Sequence, residues 1–408
     1  MCRARSTACS EWFVDAVRSS KVSATRGASR FPSSTTVCTR GLFPVTTTTP
    51  RTLMFASMVA RVSKPAVPPG TSVNDRYVLN NKLGSDGEVY EAHEKHLNRT
   101  VALKVLRPDG GSPQSWDEAR HLEQLRSNFI VPILDADVVL TSDVRYIATG
   151  LLPDGDLEAD ARPHGLSVAL AVRFGHQIAA GVDTIHAAGM IHRDVKPANA
   201  LRRGDSVLLS DVAKCILLDA DGYAPRDGSW CTLAPEAAPD DGACSVSSDV
   251  YSLAATVFYL LCGEYPVDHR LSPARQQVHL SNGVLRDISD LAPHVPRAVA
   301  TVVRRGMSVD PSVRQAGANA FGNALVTAMG QRRDWRRVVH SGHAYCAESP
   351  ASGGRTAVGM CAVSSATGSI KMRAFHLESG RALAGVPENS VSSSRGAGAL
   401  RAYFAKLG

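Results

Sequence analysis

The chain has 408 residues, 44% hydrophobic and 20% charged, which supports a sizeable core, in two ordinary domains or one large domain with tails, and excludes a wholly disordered polypeptide. A formal net charge of +7 would suit an anionic partner, but the basic residues are spread along the chain, which speaks against nucleic acid and for a phosphate-bearing ligand. Nine cysteines, an odd number with no Cys-x-x-Cys pair, argue for reduced thiols in a cytoplasmic compartment rather than a disulfide framework, and no window of about 18 consecutive apolar residues is present to span a membrane.

Residues 1–70 are rich in Arg, Ser and Thr and poor in acids, with a Thr46-Thr47-Thr48-Thr49-Pro50 tract. They read as disordered polypeptide or as translated leader ahead of a later start at Met54 or Met58, with a targeting presequence as the alternative. Pro65 to Gly70 reads as a linker. From Tyr77 the pattern turns to short β-rich segments: Tyr77-Val78-Leu79, then Leu83 to Ala92 around Gly84 and Gly87, then Thr100 to Leu106, a predicted antiparallel meander. Two glycines in such a hairpin also suit a plain turn. Trp116 to Leu125 spaces its apolar residues as a helix does, with Glu118 either paired or a solvated charge. Ile130 to Asp135 and Arg145 to Leu152 predict two more strands.

Helical pattern dominates beyond Leu152. Ala169 to Ala188 is an amphipathic helix stopped by Gly189, and it delivers the chain into Met190-Ile191-His192-Arg193-Asp194-Val195-Lys196-Pro197-Ala198-Asn199. Val207-Leu208-Leu209-Ser210 then leads into Asp211-Val212-Ala213. The longest apolar run, Leu253 to Cys262, has the length of a buried core helix. From Asp334 onward, alternating segments (Arg336–Tyr345, Thr356–Val363, Ile370–Leu377) precede a short helix from about Gly398, which suggests a small β-rich accessory domain. Within it His340, His343, Cys346, Cys361 and His376 invite a zinc reading, but their spacing fits no standard ligand pattern, so they read as core or surface residues.

The His192-Arg193-Asp194 triplet, with Lys196 two residues and Asn199 five residues after the Asp, resembles the catalytic loop of eukaryotic-type (Hanks-type) serine/threonine protein kinases. Asp, Lys and Asn beside a Pro would otherwise make a polar surface loop. The resemblance runs from residue 74 to about 327 and implies an α+β, two-lobed protein-kinase fold. A small antiparallel β lobe with one helix would take residues 74–150, and a larger, mainly helical lobe 153–327. Residues 334–408 would form a small C-terminal β-rich extension on the large lobe. The alanine- and arginine-rich, lysine-poor usage suggests a GC-rich bacterial, actinobacterial-like member.

By this resemblance Asp194 orients the substrate hydroxyl and accepts its proton, Lys196 sits near the γ-phosphate, and Asn199 and Asp211 hold Mg²⁺. Lys104, in Val101-Ala102-Leu103-Lys104, would clamp the α- and β-phosphates of ATP and pair with Glu118. Gly84, Gly87, Val89, Ala102, Thr149, Leu151 and Leu152 would line the ATP site, with Leu151 and Leu152 at the hinge and Thr149 at the rear. Ser229 takes the place of the threonine that contacts the catalytic Asp and Lys, Asp249 would hold the catalytic-loop backbone, and Arg314 would pair with Glu236. Arg193 is the residue that a phosphate on Tyr223, Ser229 or Thr232 would engage.

The chain departs from the family pattern at two places. Only two glycines stand where three are usual, and Val212-Ala213 replaces Phe-Gly, which fills less of a hydrophobic column and removes a hinge. The expectation is therefore a serine/threonine protein kinase using ATP and Mg²⁺ on protein substrates, with self-association for autophosphorylation. The alternative is a pseudokinase serving as a nucleotide-binding or scaffold module, and Pro235-Glu236 with Arg314 speaks against a small-molecule kinase.

Overall fold

The computed structural model describes residues 68–83, 88–106, 125–140, 144–366 and 368–408. Gly84, Gly87, Glu118 and the stretch up to residue 67 lie outside the described residues. Those described divide into two compact units, one of residues up to 106 with 137–140 and 144–146, the other of 125–136 with the rest from 147 to 408.

The first unit is built on β1 (Ser72–Val73), β2 (Tyr77–Leu83), β3 (Val89–Glu94) and β4 (Arg99–Leu106), each antiparallel to the next. They belong to a six-stranded sheet of order β1-β2-β3-β4-β6-β5, where β5 is Ile133–Val138 and β6 is Arg145–Gly150. The two-residue period of a strand sends alternate side chains to opposite faces. Tyr77, Leu79, Tyr90, Ala92, Val101, Leu103 and Val105 are accordingly buried on one face, while Val89, Glu91, Ala102 and Lys104 are half-buried on the other. The buried Glu94 carboxylate is satisfied by Arg76 Nε at 2.8 Å and Arg99 Nε at 2.5 Å. Asn74, in a left-handed conformation, ties residues 137–140 to this unit through Val138 O and Leu140 N.

The second unit rests on α1 (Leu157–Ala161), α2 (Val168–Ala187), α3 (Val246–Cys262), α4 (Pro273–Ser281), α5 (Ile288–Leu291), α6 (Arg297–Gly306) and α7 (Ala318–Met329). Helix α3 contains the apolar run Leu253–Cys262, begins in a Ser245/Ser248 capping box, and is buried from Ser248 to its end. A helix that is apolar all round belongs in a core, and α3 is the axis of this one. Glycines let the other helices approach closely: a Cβ on Gly175 of α2 would lie 2.7 Å from Val257 of α3, and one on Gly322 of α7 would lie 2.8 Å from Ala179 of α2. Truncating a buried leucine of α3 to alanine would cost about 2–5 kcal/mol.

Short strands fold the polar loops onto this bundle. β7 (Met190–Ile191) pairs with β10 (Ile216–Leu217), β8 (Ala200–Arg203) with β9 (Ser206–Leu209), and β11 (Ala224–Pro225) with β12 (Ala243–Cys244). The two pairings β7–β10 and β8–β9 return the chain beside itself, so residues 192–199 and 210–215 become neighbours.

The C-terminal extension is a five-stranded antiparallel meander, β13 (Arg336–Val338), β14 (Tyr345–Ser349), β15 (Val358–Ser364), β16 (Ser369–His376) and β17 (Asn389–Ser392), followed by α8 (Gly396–Leu407). Arg336–Tyr345, read from sequence as one segment, is a short strand and then a turn, in which Gly342 takes a left-handed φ of 77°. One sheet face, carrying Tyr345, Ala347, Met360, Ala362, Met372 and Ala374, shares a core with Leu400, Tyr403 and Phe404 of α8 and with the helical bundle. Trp335 docks the junction: its carbonyl accepts from Val168 N, and its ring meets Phe404 edge-on at 5.2 Å.

Candidate active site

Helix α2 ends at Ala187, and β7 carries the chain into the buried His192. The His192 ring bonds Ser210 O at 2.9 Å and receives Asp194 N at 3.2 Å, which sets the loop's curvature. Arg193 holds a left-handed φ of 67°, a conformation that side-chain-bearing residues keep only when their surroundings enforce it. Asp249, in the first turn of α3, supplies that enforcement. Its carboxylate accepts from His192 N at 2.7 Å and Arg193 N at 3.0 Å, and meets His186 Nε2 at 2.9 Å. Burial works against ionising Asp249, but the His186 hydrogen bond and the neighbouring histidines outweigh it and keep its carboxyl below the usual range. Asp249 thus lies where the resemblance implied.

The side chains after Arg193 converge. Asp194 is 1% exposed and its carboxylate is surrounded by donors: Ser229 Oγ at 2.7 Å on Oδ1, and Lys214 Nζ at 3.0 Å, Lys196 Nζ at 3.2 Å and Asn199 Nδ2 at 3.3 Å on Oδ2. Lys196 Nζ also donates to Ser229 Oγ at 3.0 Å, so Ser229 bridges the carboxylate and the ammonium. Burial pushes the Asp194 pKa up, but the charges of Lys196 and Lys214 and the Ser229 bond hold it well below the usual carboxylate range, so the group is an anion at neutral pH. Asn199 sits in a 3₁₀ turn, Pro197–Asn199, and its amide nitrogen also donates to Asp194 O at 2.8 Å. That leaves the Asn199 side-chain oxygen as its atom for a cation.

Asp211 follows β9, where Ser210 N and Oγ both donate to Asn199 O, at 2.8 and 2.9 Å. Its φ of 61° and ψ of 35° start a 3₁₀ turn over Val212–Lys214, and Val212 is buried in the helical core.

Lys214 is the feature that sequence reasoning passed over. Its ammonium joins Asp194 from the stretch Asp211 to Glu236, the activation segment by the kinase resemblance, and lies 3.6 Å from Asp227. Burial works against its charge, but Asp194 outweighs that and raises its pKa. A lone lysine one 3₁₀ turn after Asp211 was the only signal available. Its carbonyl is engaged as well: Arg193 Nε and Nη2 donate to Lys214 O at 2.9 and 2.7 Å, and Nη1 to Pro225 O at 3.2 Å. Arg193 therefore braces activation-segment backbone. Of the three hydroxyls considered as phosphate acceptors, Tyr223 is 51% exposed, Ser229 is bonded into the site, and Thr232 is buried.

Beyond the segment, Arg314 grips Glu236 through two parallel bonds of 2.7 and 2.8 Å, with Ser248 Oγ adding a third to the carboxylate at 3.0 Å. Arg314 is 3% exposed and also donates to Ser308 O and Ser247 O.

The residues expected around a nucleotide fall in both units. In the first, Val89 and Lys104 are direct cross-strand partners and Ala102 lies two residues before Lys104, so the three share one sheet face. In the second, Thr149 is in the last part of β6, and Leu151 and Leu152 follow it as half-buried, irregular chain.

A family model described as protein kinase domain matches residues 77–324. Serine/threonine-protein kinase PknH of Mycobacterium bovis is 31% identical over 256 residues, 60% of this chain and 42% of that protein. PknD of Mycobacterium tuberculosis is 30% identical over 251 residues, 57% of this chain and 36% of that protein, and PknJ of the same species is 30% identical over 279 residues, 63% and 46%. The chain spans less than half the length of these relatives.

Proposed function

The chain belongs to the protein kinase family, and from that premise we propose that it is a serine/threonine protein kinase transferring the γ-phosphate of ATP to a protein hydroxyl with Mg²⁺. One observation carries the proposal: Asp194 is a buried, ionised carboxylate ringed by Lys196, Ser229 and Asn199. Asp194 orients the substrate hydroxyl and takes its proton as the new oxygen–phosphorus bond forms and the bond to the β-phosphate oxygen breaks, releasing the nucleoside diphosphate. Lys196 keeps positive charge beside that event, and Ser229 fixes the rotamers of both. Lys104 would clamp the phosphates, and Glu118 would pair with it.

The donor set suits a hard cation, since Asp211 brings a carboxylate and Asn199 keeps an amide oxygen after its nitrogen is spent on Asp194. Bound there, Mg²⁺ would offset the phosphate charge. Protein substrates and a cytoplasmic, reducing setting belong to the same proposal, the latter supported by the odd, scattered cysteines.

A second reading, a scaffold that holds nucleotide without transferring phosphate, is favoured by the donors already crowding Asp194, with Lys214 among them. Purified chain with labelled ATP, Mg²⁺ and a generic basic protein separates the two. Transfer that drops by about 10²-fold or more in Asp194→Asn supports the kinase. Nucleotide binding with no transfer, including onto itself, leaves the scaffold.

A further inference from the structure

Four side chains that sequence spacing read as core or surface residues meet on the outer face of the C-terminal sheet. Cys346 of β14 and Cys361 of β15 are direct antiparallel partners, so their side chains share a face. That face is opposite the core: Tyr345, Ala347, Met360 and Ala362, their chain neighbours, belong to the hydrophobic cluster, whereas the two cysteines do not. Both thiols are nonetheless buried, because the turn between β13 and β14 folds over them. His343 N bonds His340 O at 3.1 Å in that turn, and the left-handed Gly342 lets both rings hang on the same side. His340 Nδ1 then lies 3.3 Å from Cys361 Sγ, and His343 Nδ1 lies 3.1 Å from Cys346 Sγ.

One ligand atom from each of His340, His343, Cys346 and Cys361 falls within 4.8 Å of all the others. Four ligands around zinc, with Zn–S of about 2.3 Å and Zn–N of about 2.0–2.1 Å, stand at about 3.3–3.8 Å from one another. The two measured His–Cys separations are already near those edges, and closing the rest takes side-chain motion of about an ångström. Glu348 Oε1 lies 3.9 Å from His340 Nε2, beyond hydrogen-bond length, so a carboxylate stands near the imidazole on its far side from the sulfurs. His376, the fifth residue of the sequence set, points elsewhere and meets Thr356 Oγ1 at 3.2 Å.

We propose that His340, His343, Cys346 and Cys361 form a structural Zn²⁺ site that fastens the β13–β14 turn to the β14–β15 strand pair. Two imidazoles and two sulfurs in tetrahedral reach select zinc over harder cations, and four protein ligands leave no open position for catalysis. Each thiol releases its proton to solvent as its sulfur takes the metal, so two thiolates balance the 2+ charge. The site lies apart from Asp194 and needs no phosphotransfer to be observed.

The test is a cobalt titration of the full chain, stripped of metal and kept reduced. One Co²⁺ per chain with the intense ligand-field bands of a tetrahedral, thiolate-bound ion is expected, displaced stoichiometrically by Zn²⁺. His343→Ala, on an exposed turn, is expected to weaken cobalt affinity at least tenfold with unchanged circular dichroism, and Cys361→Ser to remove the sulfur-to-metal absorption. His376→Ala is the control and should match the unaltered chain. An octahedral spectrum, equal binding by His343→Ala, or a Cys346–Cys361 disulfide that persists under reductant and excludes metal would each overturn the site.

Discussion

At the scale of single residues, the Asp194 carboxylate is crowded on one of its two oxygens. An ionised carboxylate offers about two acceptor sites on each oxygen; Oδ1 of Asp194 receives Ser229 alone, while Lys214, Lys196 and Asn199 all reach Oδ2. A substrate hydroxyl directed at Oδ2 therefore needs one donor to leave. Lys196 and Asn199 are fixed by the loop itself and Ser229 by its bond to Lys196, so Lys214, which arrives from a separate segment and is partly exposed, is the one to move. Lys214→Ala is expected to raise the initial rate of transfer several-fold at neutral pH, read by labelled ATP. The same change removes one of the charges depressing the Asp194 pKa, so the acid limb of the pH–rate profile should move toward neutrality. A slower enzyme with an unmoved acid limb would show that Lys214 assists rather than obstructs. Asp194, Lys196 and Asn199 were legible in the sequence because they fall within six consecutive residues whose order is itself the signal. Lys214 was not, because its bond to Asp194 spans twenty residues and exists only once β7 and β10 pair.

Among elements, the end of the activation segment is held by one ion pair. Arg314 is nearly fully buried and its charge is met by both oxygens of Glu236, whose side chain is 25% exposed. Removing Glu236 therefore strands the guanidinium in a poor dielectric, while removing Arg314 leaves a carboxylate that water can reach but opens a buried cavity and takes a donor from Ser247 O and Ser308 O. Arg314→Ala should lower stability by about 3–5 kcal/mol in denaturant unfolding, and Glu236→Gln by less, because an amide oxygen still accepts one bond. Equal losses would mean that packing of Arg314 on Tyr251, at 5.0 Å, matters more than charge. Long elements were readable in advance: α2 from its apolar spacing, and α3 from the stretch Leu253–Cys262, apolar but for Thr256. The short pairs β7–β10 and β8–β9 were harder to read, since strands of two to four residues carry too few side chains to display a period. For the same reason the β13–β14 turn was hidden inside an apparently continuous segment, and with it the approach of His340 and His343 to the cysteines.

Over the molecule as a whole, the extension is joined to the helical bundle by a buried polar contact that titrates. His294, between α5 and α6, is 2% exposed, and its Nδ1 meets the Tyr345 hydroxyl of β14 at 2.5 Å. Phe404 of α8 lies edge-on to the imidazole at 6.1 Å. Burial first, and then the charge of Arg337, push the His294 pKa from 6.5 down to about 3, so the folded protein holds it neutral. An unfolded chain takes up that proton near pH 6.5, so the unfolded state binds more protons as the pH falls. His294 therefore imposes no pH dependence above about 6.5, and its stabilisation is lost progressively between about pH 6.5 and 3, at a slope approaching about 1.4 kcal/mol per pH unit. Thermal unfolding followed from pH 8 to 4 should show a falling midpoint below pH 6.5. His294→Gln keeps a polar group of similar size facing Tyr345 without a titrating proton, so it should start from a lower midpoint at pH 8 and flatten the acid slope by about one proton's worth. A variant whose midpoint falls in parallel with the unaltered chain would show that His294 does not set the acid loss above pH 4, since carboxylates with depressed pKa values such as Asp249 lose their contribution only below the ordinary carboxylate range.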